Sequence, residues 1–84
     1  MIMQILIEGE SSCLTNFHKK VSIITNRIKT QANQVLYGCT DSQYDAVKMA
    51  AIKSNVNLYK WNDKDKQWII DVKKVTIKPN QSRR

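Results

Sequence analysis

The pattern of apolar and polar positions predicts six elements of secondary structure along the chain. An apolar run at residues 3–7 (MQILI) predicts a first strand, and the run at residues 34–39 (QVLYGC) predicts a second. Between these strands, apolar residues recur at spacings of three and four, which predicts a helix that Ser11 or Ser12 can cap and that ends near residues 31–33. Its apolar stripe consists of Leu14, Phe17, Val21, Ile24 and Ile28.

The second half of the chain predicts another helix and a hairpin. Thr40 and Gln43 match the capping-box pattern, in which each side chain bonds the backbone N–H of the other residue, so a helix is expected over about residues 41–54. Two further runs, residues 56–61 and 67–72, are rich in apolar and aromatic residues and flank a short polar segment. They predict the two strands of an antiparallel hairpin.

The predicted order β-α-β-α-β-β is typical of a small single α/β domain. Each β-α-β crossover should be right-handed, which gives a mostly parallel sheet that ends in an antiparallel hairpin. The domain is expected to span residues 1–78, with residues 79–84 as a flexible basic tail. The alternative is a ferredoxin-like α+β arrangement, β-α-β-β-α-β, which requires an additional strand at residues 21–24, where Val, Ile and Thr are dense.

The predicted hairpin can pair in two registers, which expose different side chains. A five-residue loop pairs Trp61 with Gln67, whereas a four-residue loop pairs Trp61 with Trp68. The five-residue loop is favoured because it separates apolar from charged residues more cleanly. In that register, Tyr59 and Trp61 stand on the outer face. The core face would consist of Val56, Leu58, Trp68, Ile70 and Val72.

Positive charge is unevenly distributed along the chain. The formal net charge is +7, and residues 43–84 contribute ten cations against four acids. The last strand is expected to continue to Ile77 and to lead into the tail, and residues 73–84 contain no acid. Their cations are Lys73, Lys74, Lys78, Arg83 and Arg84. A basic cluster without nearby acids most often contacts a phosphate backbone.

Aromatic and basic residues are expected to share one surface. In the favoured register, Tyr59 and Trp61 lie beside the cations of the last strand, and aromatic rings among cations can stack the bases of a single strand. On the first helix, Lys20 and Arg27 fall on one flank of the apolar stripe and can add contacts to phosphate. In the competing interpretation, Tyr59 and Trp61 pack against a helix or a second subunit, because both faces of a parallel sheet are usually covered.

These observations favour a non-enzymatic nucleic-acid-binding protein that prefers RNA or another single strand and binds mainly through charge, with weak sequence specificity. The alternative is a phage-type inhibitor or adaptor that neutralises a host enzyme such as a ribonuclease toxin, with or without RNA as a bridge. A chain of 84 residues buries a modest core, which favours a homodimer. The amino-terminal apolar run is too short to span a membrane, and the expected location is cytoplasmic.

No catalytic, metal-binding or cofactor-binding residue is predicted. His18 is the only histidine and lies off the apolar stripe, and no carboxylate or nucleophile lies at a spacing from it that is typical of a catalytic site. Cys13 and Cys39 are outside any CxxC pattern and are expected to be free thiols in a reducing compartment. Together with His18 and Asp41, the two cysteines lack the spacing of metal ligands.

Overall fold

Seven elements follow one another along residues 2–75, the part of the chain that the computed structural model describes. They are β1 (Ile2–Glu8), α1 (Ser11–Val21), β2 (Asn26–Gln31), β3 (Gln34–Thr40), α2 (Asp41–Ser54), β4 (Asn57–Asn62) and β5 (Gln67–Val72). The five strands form one sheet in the order β2-β3-β1-β4-β5, and every neighbouring pair is antiparallel. These residues therefore form a small α+β domain.

The prediction of an α/β domain with a mostly parallel sheet is wrong. The predicted order β-α-β-α-β-β lacks β2, which forms an antiparallel hairpin with β3. Because β3 lies between β2 and β1, the β1-α1-β2 crossover joins two strands that are not neighbours. The observed order begins with the β-α-β-β-α-β order of the ferredoxin-like alternative and adds β5 at one edge. The additional strand lies at Asn26–Gln31, however, and not at residues 21–24.

The first helix is shorter than predicted because the chain turns after Val21. The Val21 carbonyl accepts the backbone N–H of Ile24 and of Thr25, each at 3.0 Å, and the Thr25 hydroxyl at 2.9 Å. Ile28, which the helical spacing places on the apolar stripe, lies instead on β2 and is exposed. The helical spacing of apolar residues thus extends beyond the end of α1 into residues that form a strand.

The two helices differ in how their first turns are capped. The N-cap of α1 is Glu10, whose side chain makes no cap bond, so the prediction that Ser11 or Ser12 caps this helix is wrong. The predicted capping box of α2 is confirmed. The Gln43 backbone N–H donates to Thr40 Oγ1 at 3.3 Å, and the Thr40 backbone N–H donates to Gln43 Oε1 at 2.9 Å. The predicted bounds of α2 are also confirmed.

Both helices pack on the same face of the sheet. Side chains alternate along each strand, so that every second residue points toward the helices. These residues form one core with the buried faces of α1 and α2. The largest fully buried side chains are Tyr37, Phe17, Ile5, Ile7, Leu58, Val21, Val47, Val56 and Cys39. The opposite face of the sheet, which we call the open face, is covered by neither of these two helices.

The β4–β5 hairpin adopts the four-residue loop, and the predicted five-residue loop is wrong. Trp61 pairs with Trp68. The Asn62 side chain organises the loop, because its Oδ1 accepts the backbone N–H of Lys64 at 2.9 Å and that of Asp65 at 3.1 Å. Asn commonly begins a turn in this way, by replacing a backbone acceptor with its own side chain.

This register moves side chains that were predicted for the core to the open face. The pairing is irregular between Leu58 and Tyr59, so that Val72 pairs with Leu58 and is buried while Ile70 pairs with Tyr59. Trp68 and Ile70 consequently share the open face with Tyr59. The predicted separation of apolar and charged residues fails because β5 is an edge strand in which only Val72 is buried.

Beyond β5, strand pairing ends, and hydrogen bonds from the backbone to side chains position the next residues. The Lys74 backbone N–H donates to Asn57 Oδ1 at 2.8 Å, and the Val75 backbone N–H donates to Asn55 Oδ1 at 2.7 Å. The predicted continuation of the last strand is therefore wrong as far as Val75. Outside the described residues lie Ile77, Lys78, Arg83, Arg84 and the whole predicted tail at 79–84.

Candidate nucleic-acid interface

The open face carries a row of side chains that crosses all five strands. Strand pairing places Leu6 opposite Leu36 on one side and opposite Tyr59 on the other. The row continues to Lys29 beyond Leu36 and to Ile70 beyond Tyr59. Apolar and aromatic groups therefore extend from a lysine on the edge strand β2 to the opposite edge strand β5.

A pair of indole rings lies beside this row. Trp61 and Trp68 are direct cross-strand partners, with ring centroids 5.2 Å apart and ring planes at 67°. This edge-to-face contact is a favourable arrangement of two aromatic rings, and both side chains remain partly exposed. Trp68 also lines a depression of about 250 Å³ together with Leu6, Leu36 and Lys29. The rings and the depression offer flat apolar surface on which bases can stack.

A carboxylate organises the polar end of the open face. Glu8, the last residue of β1, accepts a hydrogen bond on Oε1 from the Tyr59 hydroxyl at 3.0 Å and another from Asn57 Nδ2 at 3.3 Å. Its Oε2 accepts from Gln34 Nε2 at 3.3 Å. These bonds, that of Tyr59 foremost, lower the pKa of Glu8, and the charge of Lys74 lowers it further. Burial and the bond to Glu8 raise the pKa of Tyr59.

Four of the predicted binding residues lie on the open face or follow its edge strand. Tyr59 and Trp61 point to the open face, although the register that places them there differs from the predicted one. Lys73 and Lys74 follow directly after β5. Lys74 lines the same depression as Glu8, at the rim of this face.

Two further residues of this face, Trp68 and Lys29, were not predicted from the sequence. Trp68 was assigned to the core by the five-residue loop, and Lys29 falls within the span predicted for the first helix, which ends near residues 31–33. The loop could have been recognised from Asn62, because Asn at the start of a polar turn segment is typical of a short turn. No comparable local pattern identifies Lys29, because its place on the open face depends on the formation of β2.

Lys20 and Arg27 do not form the helical flank that the sequence predicts. Lys20 is exposed on α1, whereas Arg27 lies on β2. Arg27 lies on the helix side of the sheet, where it lines a groove of about 220 Å³ with His18 and Tyr37. It is therefore on the face opposite the aromatic rings.

The single histidine belongs to a packing contact between α1 and β3. His18 Nδ1 lies 3.2 Å from the Tyr37 hydroxyl, and the Tyr37 ring also packs edge-to-face against Phe17. Burial lowers the pKa of His18, and the charge of Arg27 lowers it further. Burial raises the pKa of Tyr37. This arrangement joins the helix to the sheet.

Within residues 2–75, no group of three or more His, Cys, Asp or Glu side chains comes together in a way that could hold a metal ion. Cys13 is partly buried, Cys39 is buried, and both are free thiols. Neither helix of this part of the chain is long and apolar enough to cross a membrane.

Comparison with protein-family models, with curated proteins and with solved structures yields no match to this chain. Function is therefore inferred from the geometry and charge of the open face.

Proposed function

We propose that this protein is a non-enzymatic nucleic-acid-binding protein that holds single-stranded RNA on the open face. The observation that carries the proposal is the set of three partly exposed aromatic rings, Tyr59, Trp61 and Trp68, on a sheet face that neither described helix covers. Bases of a single strand stack on such rings regardless of sequence, and aromatic residues on an uncovered sheet are a recurring RNA-binding surface. A duplex should bind less well, because its bases already stack on one another.

Positive charge near the rings supports the same proposal. Lys29 stands at one end of the row of side chains, and Lys64 lies in the hairpin loop that joins the two Trp strands. Lys73 and Lys74 follow β5 directly. Lysines around the rim of a stacking surface can neutralise the phosphates of a strand whose bases lie on that surface. Most of the binding free energy is therefore expected to come from charge and stacking, with weak sequence preference.

The proposal places the protein in the cytoplasm as a homodimer. Free thiols such as Cys13 and Cys39 are typical of a reducing compartment, which supports the location. The proposal of a homodimer is supported by the small core of an 84-residue chain, because association with a second copy buries further apolar surface. No enzymatic activity, metal or cofactor is part of the proposal.

Fluorescence anisotropy with a short labelled single-stranded RNA tests the proposal. If about five phosphates are contacted, the affinity is expected to fall about 10²-fold between about 50 and 200 mM salt. A duplex of the same sequence should bind more weakly at each salt concentration. Absence of binding at low salt, or an affinity that does not depend on salt, would contradict the proposal.

Capture of partners from host lysate, with and without nuclease treatment, tests the competing hypothesis. RNA on the purified protein, and loss of captured material after nuclease treatment, are the results expected here. A single protein partner retained after nuclease treatment would contradict the proposal. It would support the alternative of a phage-type inhibitor that contacts an enzyme such as a ribonuclease toxin directly.

A further inference from the structure

Glu8 places a carboxylate on the surface that is proposed to bind RNA. Glu8 lies in a second cross-strand row of the open face, between Gln34 on β3 and Asn57 on β4. Its two oxygens accept three hydrogen bonds, and all three donors are neutral: the Tyr59 hydroxyl and the amides of Asn57 and Gln34. Neutral donors orient the carboxylate and leave its negative charge in place.

The charge of Glu8 is not cancelled by a direct ion pair within residues 2–75. The ion pairs in this part of the chain join Lys48 to Asp71 and Lys66 to Asp63. Lys74 is close enough to influence Glu8 without contacting it at ion-pair distance. The open face therefore presents an ionised, partly exposed carboxylate beside the Tyr59 ring.

Such a group repels phosphate and attracts the N–H groups of bases. An ionised carboxylate offers about four lone-pair positions, of which the protein occupies two on Oε1 and one on Oε2. A ligand that bonds both oxygens therefore takes the free position on Oε2 and displaces the Asn57 amide from Oε1. The two amide bonds, both at 3.3 Å, are longer than an ordinary N–H···O bond, so a better-placed donor can compete with them. A base that stacks near Tyr59 brings its Watson–Crick edge close to these oxygens.

Guanine is the base whose edge fits two carboxylate oxygens. Its N1–H and N2–H donors are adjacent, so that each can bond one oxygen. Adenine and cytosine place a ring-nitrogen acceptor next to their amino donor, and uracil places a carbonyl on each side of its N3–H. Each of these three bases would therefore set an acceptor against a negatively charged oxygen.

We propose that Glu8 selects guanine at one position of the single strand held on the open face, by accepting N1–H and N2–H of the base on its two oxygens. The inference rests on the proposed function and adds a base preference to it. Tyr59 then has two roles, because its hydroxyl orients the carboxylate and its ring supplies stacking surface. Phosphates are excluded from this spot and pass along the lysines at the rim.

The test compares short oligouridines that carry one central guanosine, inosine or adenosine, with binding measured by anisotropy. Inosine keeps N1–H and lacks the N2 amino group. We expect the guanosine strand to bind about tenfold more tightly than the adenosine strand, with inosine between them. Equal affinities of the wild-type protein for all three strands would overturn this inference and leave the proposed function standing. Absence of binding to every strand would overturn both.

Two variants test whether Glu8 is responsible for the preference for guanosine. Glu8→Gln should lose the preference for guanosine over adenosine, because the amide offers one acceptor and one donor where guanine needs two acceptors. Glu10→Gln removes the same charge from an exposed residue just beyond the strand and should keep the tenfold preference. A Glu8→Gln protein that still prefers guanosine would contradict the role of Glu8. Circular dichroism of both variants checks that they are folded. The comparison of guanosine, inosine and adenosine strands tests the base preference with the wild-type protein alone, without any variant.

Discussion

Trp61 and Trp68 lie directly opposite each other across the β4–β5 hairpin, with their ring centroids 5.2 Å apart. The pair exists because the loop between the strands has four residues. A five-residue loop would pair Trp61 with Gln67 and turn Trp68 toward the helices. A change of one residue in a turn thus decides whether the open face carries two indole rings or one.

Removal of either ring should weaken RNA binding more than it weakens folding. Each Trp→Ala change at residues 61 and 68 is expected to cost about 1–3 kcal/mol of binding free energy, the usual contribution of one stacked base. Trp→Phe at the same positions should retain most of the affinity. Met49→Ala, at an exposed position on α2, is the control. Anisotropy titration measures the affinities, and urea unfolding measures stability. A Trp61→Ala protein with unchanged RNA affinity would contradict the proposed stacking surface.

The lysines after β5 should contribute to RNA affinity because their positive charge lies at the rim of the open face. The double variant Lys73→Glu, Lys74→Glu is expected to bind RNA at least tenfold more weakly and to lower the slope of log affinity against log salt by about 0.7 for each phosphate that the protein no longer neutralises. The control is Lys19→Glu, Lys53→Glu, which makes the same change in net charge on the exposed sides of the helices. Equal reductions of affinity in the two proteins would show that only net charge matters.

The capping box should stabilise α2 measurably. Thr40→Ala removes the acceptor for the Gln43 backbone N–H and is expected to lower the free energy of unfolding by about 1 kcal/mol. Ser42→Ala is the control, because the Ser42 hydroxyl contacts Thr40 Oγ1 at an exposed site and bonds no backbone donor of the helix in this motif. Urea unfolding followed by circular dichroism compares the three proteins. Equal destabilisation by both substitutions would contradict the role of the box.

Stability should decrease in acid through Glu8. Its hydrogen bonds hold the pKa below the ordinary value of 4.5, so the folded state binds this proton less readily than the unfolded state does. The stabilisation is complete above the unfolded-state pKa and is lost as the pH falls through the lower folded-state pKa. Urea unfolding of wild-type and Glu8→Gln proteins at several pH values measures the difference, which should shrink below about pH 4.5. A difference that does not change with pH would show that the carboxylate charge has no part in it.

Two copies are expected to associate through β5. This edge strand presents Ile69 and Ile70, which are 43% and 45% exposed, and contains no cation, whereas the edge strand β2 contains Arg27 and Lys29. An unprotected apolar edge favours strand addition, and a two-fold axis pairs identical strands in antiparallel orientation. Light scattering should therefore give twice the chain mass of 9.7 kDa.

Ile69→Lys should convert this dimer into a monomer, because a charged side chain on an edge strand opposes pairing. Ile52→Lys, at an exposed position on α2, is the control and should leave the mass unchanged. A wild-type protein that remains monomeric over a wide concentration range would contradict the homodimer.

The features that were predicted correctly depend on residues close together in the chain. The capping box that starts α2 needs only Thr40 and Gln43, which are three positions apart. The start of β5 at Gln67 and the approximate positions of β1, β3 and β4 follow from short apolar runs bordered by polar residues. In each case the pattern that identifies the element lies inside the element itself.

The features that were missed depend on what lies next to each element in space. Residues 26–31 continue the apolar spacing of α1, and they become a strand because β3 is available as a hairpin partner. Once β2 forms, it is separated from β1 by one strand, and the sheet becomes antiparallel throughout. The hairpin register follows the same principle, because the small number of buried positions on β5 removes the advantage of a purely apolar inner face.

From its residues alone, the chain is a small basic protein of helices and strands in which aromatic side chains and lysines are concentrated toward the carboxyl end. Composition and short-range spacing suffice for this, because charge and local periodicity need no knowledge of neighbours. Tertiary structure brought Tyr59, Trp61 and Trp68 onto one uncovered face, moved Arg27 to the other face, and set Glu8 among three hydrogen-bond donors. These outcomes required folding, because each depends on strands that are distant in sequence and pair only in the complete sheet.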